Sequence, residues 1–327
     1  MKKLVFLALI SAGAMGFMQS CKKDDTSGTS DAPLTVAEKQ RSLLIYNTAT
    51  WCGPCGSVGS PTFKSAMDAS KTDDLVMIDL HPALSSMSFL VPLTTDEAKN
   101  NPDSLYYAPF SVELYQQSKP NGYIPQFYCS NSVLGNSAVT KDQILEFANN
   151  YNSAVSPEVG VAVKAAASGN NINITYKMKA LEPESGAEYY TSLLVIEKSV
   201  DAAQVVGSSW QKITHKNIVR GSAKYSAAGN TFGGGTTFKN APVAFGDAAD
   251  MTNPSAGSEV EKTATYKYST PSQGLKDAWD ASLVSQIGYG FGWWNFNASN
   301  SAVVAIVWKK VSSTEMFYVN AAYADVK

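Results

Sequence analysis

The chain has 327 residues, 26 basic against 28 acidic side chains, a formal net charge of −2 and 44% hydrophobic residues. So balanced a charge gives no electrostatic footprint for nucleic acid. The length and apolar content are enough for two domains with cores of their own.

Residues 1–20 read as a targeting segment. Lys2 and Lys3 form its charged start, and Leu4 to Phe17 an apolar run too short for a comfortable membrane span. Met18-Gln19-Ser20-Cys21 follows, and a small residue before Cys at this place resembles a bacterial lipoprotein cleavage site. It departs from that pattern at Gln19, where a small residue is commoner. The resemblance implies that Cys21 becomes the diacylated N-terminus and a membrane anchor. Lys22-Lys23-Asp24-Asp25 is similar to the surface-export signal of lipoproteins in the Bacteroidetes. The alternative is ordinary cleavage, which leaves Cys21 an orphan thiol. Residues 21–38 are expected to be the anchor and a tether, since Thr26 to Pro33 is rich in Ser, Thr, Gly and Asp. A compartment outside the inner membrane permits disulfides.

The first domain is expected over 39–156. Leu43-Leu44-Ile45-Tyr46 reads as a buried strand and leads into Thr50-Trp51-Cys52-Gly53-Pro54-Cys55-Gly56. If Cys52 caps a helix, Cys55 lies one turn on, close enough for a small disulfide ring. The helix end also favours a thiolate there, and Pro54 suits a first turn, where a missing N–H costs nothing. Trp51 to Cys55 matches the thioredoxin active site without a substitution. That resemblance implies a first thiol with its pKa lowered to about 7. Half of a zinc site and an inert staple are the other readings. Zinc needs about four ligands, and Cys129, His81 and His215 form no second ligand pair, so no metal is expected.

Asp74 to Leu80 reads as a second buried strand, parallel to the first after a short helix that carries Phe63 and Met67 inward and bends at Pro61. Residues 82–120, punctuated by Pro82, Pro92, Pro102 and Pro109, look like an insertion on the active-site side. Gly122 to Tyr128 is read as an aromatic strand. Within it Ile124-Pro125 resembles the cis-proline that thioredoxin-like proteins place beside the Cys pair. The resemblance implies that Ile124 pairs with an extended peptide; a trans proline opening a strand is the alternative. After a turn at Gly135-Asn136, Thr140 and Gln143 form a capping box for a helix with Ile144, Leu145, Ala148 and Tyr151 on one face.

Over 157–327 the period changes to two. Val159, Val161 and Val163, a turn at Gly169-Asn170, then Ile172, Ile174, Tyr176 and Met178 predict a hairpin. Further strands are predicted at 189–196, 302–308 and 316–323, so the second domain is expected to be an antiparallel β-sandwich. Gly233-Gly234-Gly235 reads as a loop, since it lacks the strand–helix context of a phosphate loop. Asp247 and Asp250 lack calcium-ligand spacing. His215 reads as a hydrogen-bonded structural residue. Tyr289, Phe291, Trp293, Trp294 and Phe296 read as a core strand or a glycan- or partner-binding surface.

Taken whole, the chain resembles the Omp28-related outer-membrane lipoproteins. The resemblance rests on the lipobox-like start, the Cys pair, His215 to Arg220, and the closing runs Ala302 to Trp308 and Tyr318 to Ala321. It implies a lipid-anchored outer-membrane protein, at the cell surface or on the periplasmic face, with a thioredoxin-like domain before a β-rich one. Two positions depart from thioredoxin. Tyr46 stands where a buried Asp helps deprotonate the second Cys, and Gly56 replaces a basic residue.

Two functions follow. In one, Cys52 attacks a disulfide and Cys55 resolves the product, with Trp51, Gly53, Pro54, Ile124 and Pro125 binding extracytoplasmic protein thiols or disulfides. No cofactor is expected. In the other, a permanently oxidised pair staples a surface binding or adhesion protein whose second domain meets the ligand. Cys129 reads as a buried small hydrophobe in both.

Overall fold

Strand β1 (Ser42–Asn47) is buried at all six positions, as its unbroken apolar run requires of a strand covered on both faces. It pairs in parallel with β2 (Leu75–Leu80) and antiparallel with β3 (Gln126–Cys129), which turns into β4 (Ser132–Gly135). The computed structural model describes residues 33–81, 109–226, 230–232, 236–238, 241–268 and 296–327. The expected targeting segment, Cys21, most of the tether, residues 82–108 of the insertion, Gly233 to Gly235 and most of the aromatic cluster lie outside them.

Helix α1 (Ser60–Ala69) follows a wide π-type turn, Cys55–Gly59. Pro61 falls in the first turn of α1, directly after the π-type turn, where its missing N–H costs no α-helical hydrogen bond. Phe63 and Ala66 are buried, and Met67 packs at the edge of the same core. Helix α2 (Pro109–Gln117) buries Phe110 and Leu114. Helix α3 (Lys141–Ala154) has the expected capping box between Thr140 and Gln143, and it buries Ile144 and Ala148. The strand read from Gly122 begins only at Gln126, because the four residues before it make no ladder.

The expected hairpin is β5 (Val159–Ser168) with β6 (Asn171–Ala180). Strand β7 (Glu188–Val206) runs 19 residues and pairs with β8 (Ser209–Ser222). Short strands follow: β9 (Tyr225–Ser226), β10 (Asn230–Phe232), β11 (Thr236–Phe238), β12 (Ala241–Pro242) and β13 (Met251–Thr252). The chain closes with β14 (Glu259–Lys267), β15 (Ser301–Lys310) and β16 (Met316–Asp325). Among the described residues the fold is mostly β, with few helices and a mixed sheet.

That sheet has nine strands, in the order β16-β15-β7-β8-β2-β1-β3-β4, with β13 on β7. It therefore runs across the boundary expected at 156/157, joined where β2 meets β8 in parallel at Asp79 and Ile218. Residues 34–327 make one unit. Successive residues of β7 and β15 feed two cores. Leu193, Val195, Val303 and Val307 face the three-stranded sheet β14-β6-β5. Leu194, Ile196, Val304 and Trp308 join Ile45, Ile78 and Phe110 on the opposite face. At about 1.5–3 kcal/mol per fully buried large side chain, these two strands are major contributors to folding. Phe296, from the aromatic cluster, packs on Tyr268 with ring centroids 4.7 Å apart.

Candidate active site around Cys52 and Cys55

Beyond β1 the chain turns through Thr48 to Trp51 and delivers Cys52 to the start of the wide turn. Cys52 and Cys55 form a disulfide, with Cα atoms 5.2 Å apart. The Cys55 amide donates to Cys52 Sγ at 3.2 Å, so a helix-end N–H aims at the first sulfur. Such a donor favours a thiolate over a thiol. Pro54, at the cap of the turn, is exposed and needs no N–H there.

The Ile124-Pro125 bond is cis, and Cys52 Sγ lies 3.7 Å from the Ile124 carbonyl oxygen. Trp51 and Ile124 pack against Ala49, Cys52 and Cys55. Tyr123 beside them is 69% exposed. The far end of β1 fixes this arrangement: the Asn47 amide donates to Ser118 Oγ at 2.8 Å and to Gln126 Oε1 at 3.0 Å. The fold thus brings Trp51, Cys52, Cys55, Ile124 and Pro125 together at one end of β1 and β3.

Gly53 and Gly56 face elsewhere, toward the tip of the β7–β8 hairpin, which sequence reading did not connect with the cysteines. The Val205 amide donates to Thr50 O at 2.7 Å, and the Gly207 amide to Gly53 O at 3.3 Å. The Gln204 side-chain amide donates to Ala49 O at 3.1 Å and Cys52 O at 2.9 Å. A Cβ on Gly53 would stand 2.1 Å from Gly207 O, and one on Gly56 2.2 Å from Val205 O. No side chain fits at either position, which is why thioredoxin's basic residue is absent at 56. The only early signal was a Gly207-Ser208 turn between two strand-like runs. Cys52 is left 4% exposed and Cys55 fully buried.

Tyr46 also has a local reason. Its hydroxyl donates to Cys55 O at 3.1 Å, and its ring stacks between Phe63 and Phe127 at 5.2 and 5.0 Å. Burial, with the negative charge of Asp79 added, pushes its hydroxyl far above the ordinary tyrosine value. It ties down the wide turn as a neutral donor. The carboxylate missing at 46 stands on the next strand, because Asp79 pairs with Tyr46 in the parallel register. Asp79, His81 and His215 are all buried, and their ligand atoms lie within 4.8 Å of one another. His215, read as a hydrogen-bonded structural residue, is buried with Nδ1 3.7 Å from Asp79 Oδ2, beyond direct hydrogen-bond distance.

Cys129 is the one free cysteine among the described residues; it is buried on β3, and burial pushes its thiol up to about 12. At neutral pH it is a thiol, inert as a nucleophile. Asp250 is held by Lys224, Lys262 and the Tyr176 hydroxyl, at 3.1, 2.8 and 2.8 Å.

No protein-family model matches the chain, and no curated protein matches it. Among solved structures, HBP35 of Porphyromonas gingivalis is similar over 89% of this chain and 77% of its own, at 13% identity and a TM-score of 0.54. The likeness is one of fold. A protein of Agrobacterium tumefaciens matches at 12% identity over 88% of this chain and 95% of its own, with a TM-score of 0.41. A domain of the outer membrane lipoprotein Omp28 from Porphyromonas gingivalis matches at 13% identity over 52% of this chain and 89% of its own, with a TM-score of 0.26. The last two likenesses are too loose to bear on what this chain does. No described helix is long and apolar enough to cross a membrane.

Proposed function

We propose that this chain is an outer-membrane lipoprotein, anchored through Cys21, whose thioredoxin-like first half exchanges Cys52–Cys55 with disulfides of extracytoplasmic proteins. The observation that carries the reading is the convergence at Cys52. Its sulfur meets the Cys55 amide at 3.2 Å and the Ile124 carbonyl at 3.7 Å, beside an exposed Tyr123. An extended peptide laid along Tyr123 and Ile124 would bring its own sulfur to Cys52. In the reducing direction the Cys52 thiolate attacks a substrate disulfide and expels one substrate sulfur as a thiolate. Cys55, deprotonated, then attacks Cys52 Sγ and releases the second substrate sulfur. The pair ends oxidised and the substrate gains two electrons and two protons. The reverse sequence forms a substrate disulfide.

A second reading, a surface binding protein with a structural disulfide, is favoured by one observation: Cys52 is 4% exposed under the β7–β8 hairpin. Substrate trapping separates the two. A Cys55→Ser chain, reduced and mixed with glutathione disulfide or an oxidised protein, is expected to accumulate a mixed disulfide at Cys52. Absence of any Cys52 adduct would favour the structural disulfide.

A further inference from the structure

The chain has only two histidines, far apart in sequence, and both are buried against the same buried carboxylate. Asp79 is the last residue but one of the apolar β2, His81 follows the strand, and His215 comes in on β8, which meets β2 at Asp79. His81 Nε2 stands 3.4 Å from Asp79 Oδ1, and His215 Nδ1 stands 3.7 Å from Asp79 Oδ2. These separations exceed the roughly 2.9 Å of a direct N–H to carboxylate hydrogen bond. The first fits the spacing of two ligands on one tetrahedral cation, about 3.3–3.6 Å for metal–ligand bonds of about 2.0–2.2 Å, and the second is slightly wider.

Burying three such groups without a proton or cation among them is costly. His215, with no hydrogen bond at either nitrogen, has a lone pair to offer.

There is also a route in. Asp79 and His215 line a cavity of about 340 Å³, shared with Tyr46, Gly56, Thr214 and Lys216. The Lys216 ammonium donates to Ser199 Oγ at 3.2 Å, away from the carboxylate. Two of the three ligands, Asp79 and His215, face the cavity, and a site of three protein ligands leaves a fourth position for water.

We propose that Asp79, His81 and His215 form a binding site for one divalent transition-metal cation of the zinc class. Two imidazoles and one carboxylate suit zinc, cobalt or iron and disfavour calcium or magnesium, which take oxygen ligands. Neither Cys52 nor Cys55 takes part, so the site stands or falls independently of the exchange reaction.

The test uses the full chain in detergent, purified without a polyhistidine tag, stripped by a chelator and titrated with Co²⁺. One Co²⁺ per chain is expected, with four-coordinate ligand-field absorption, no thiolate charge-transfer band, and displacement by one Zn²⁺. His215→Gln and Asp79→Asn should each weaken binding at least 100-fold, since even outer-shell partners of a metal ligand are worth about 10–100-fold. Cys52→Ser should leave it unchanged. Failure of the wild-type chain to bind Co²⁺ saturably, or undiminished binding by His215→Gln, overturns the proposal. If the variants do not fold, anomalous scattering from wild-type crystals grown with Zn²⁺ decides. An ion between Asp79, His81 and His215 supports the site, and its absence there refutes it.

Discussion

Gly56 shows how a single absent side chain sets the chemistry around the cysteines. The position looked like the loss of a basic residue, but Val205 O occupies the space a Cβ would need. Gly56→Ala is expected to cost about 1–3 kcal/mol by overpacking, read from the urea midpoint. It should also raise the alkylation rate of reduced Cys52 as the hairpin is pushed away. Asp250 gives a second residue-level expectation. Burial raises its carboxyl, but Lys224, Lys262 and the Tyr176 hydroxyl outweigh that and lower it below the ordinary value. A carboxylate with its folded pKa depressed contributes stability above its unfolded pKa of about 4, and loses it as pH falls toward the folded value. Unfolding free energy should therefore drop below about pH 4. Asp250→Asn should flatten that acid limb while destabilising the chain at pH 7 by about 3–5 kcal/mol, because Lys224 is left buried without its partner. An acid limb unchanged in the variant would contradict the assignment.

The elements that positioned themselves from sequence are those with one clear local signal. The apolar runs at 43–46 and 75–80 read as buried strands, the Thr140–Gln143 box opened its helix, and the alternation around Gly169 made its hairpin. What stayed hidden depended on distant chain. The second half of β7 is interrupted by Asp201 and Gln204, so it shows no apolar period, yet it covers the cysteines. Strand β14 has no buried position, only alternating half-exposed and exposed ones, and so offered little to read. Asp79 and His81 lie two residues apart, but His215 shares no spacing with them; the pairing of β2 with β8 brings it in. The hairpin's grip rests on Gln204, whose amide serves the Ala49 and Cys52 carbonyls across the contact as well as Val205 O on its own strand. Gln204→Ala leaves the Ala49 and Cys52 carbonyls short of a donor. It is expected to cost about 1–3 kcal/mol and to speed hydrogen exchange of the Val205 amide. Unchanged exchange at Val205 would mean that its bond to Thr50 O holds the hairpin alone.

Across the whole molecule, the nine-stranded sheet joins the cysteine-bearing strands to β7, β8, β15 and β16 through buried residues on both faces. A shared sheet predicts shared stability. Denaturant unfolding should be one cooperative transition, coincident by tryptophan fluorescence and far-UV circular dichroism. Two separated transitions would mean that the halves are stable apart. The same continuity places the hairpin of one half on the cysteine pair of the other, so access to Cys52 is controlled by residues far along the chain. Whether that cover guards an exchangeable pair or seals a structural one is read most directly by the Cys52–Cys55 reduction potential, equilibrated against glutathione. Exchange requires a potential of about −270 to −180 mV, the range of thioredoxin and disulfide isomerase, and that is the value expected. A potential below roughly −300 mV would mark a structural disulfide and contradict the exchange reaction.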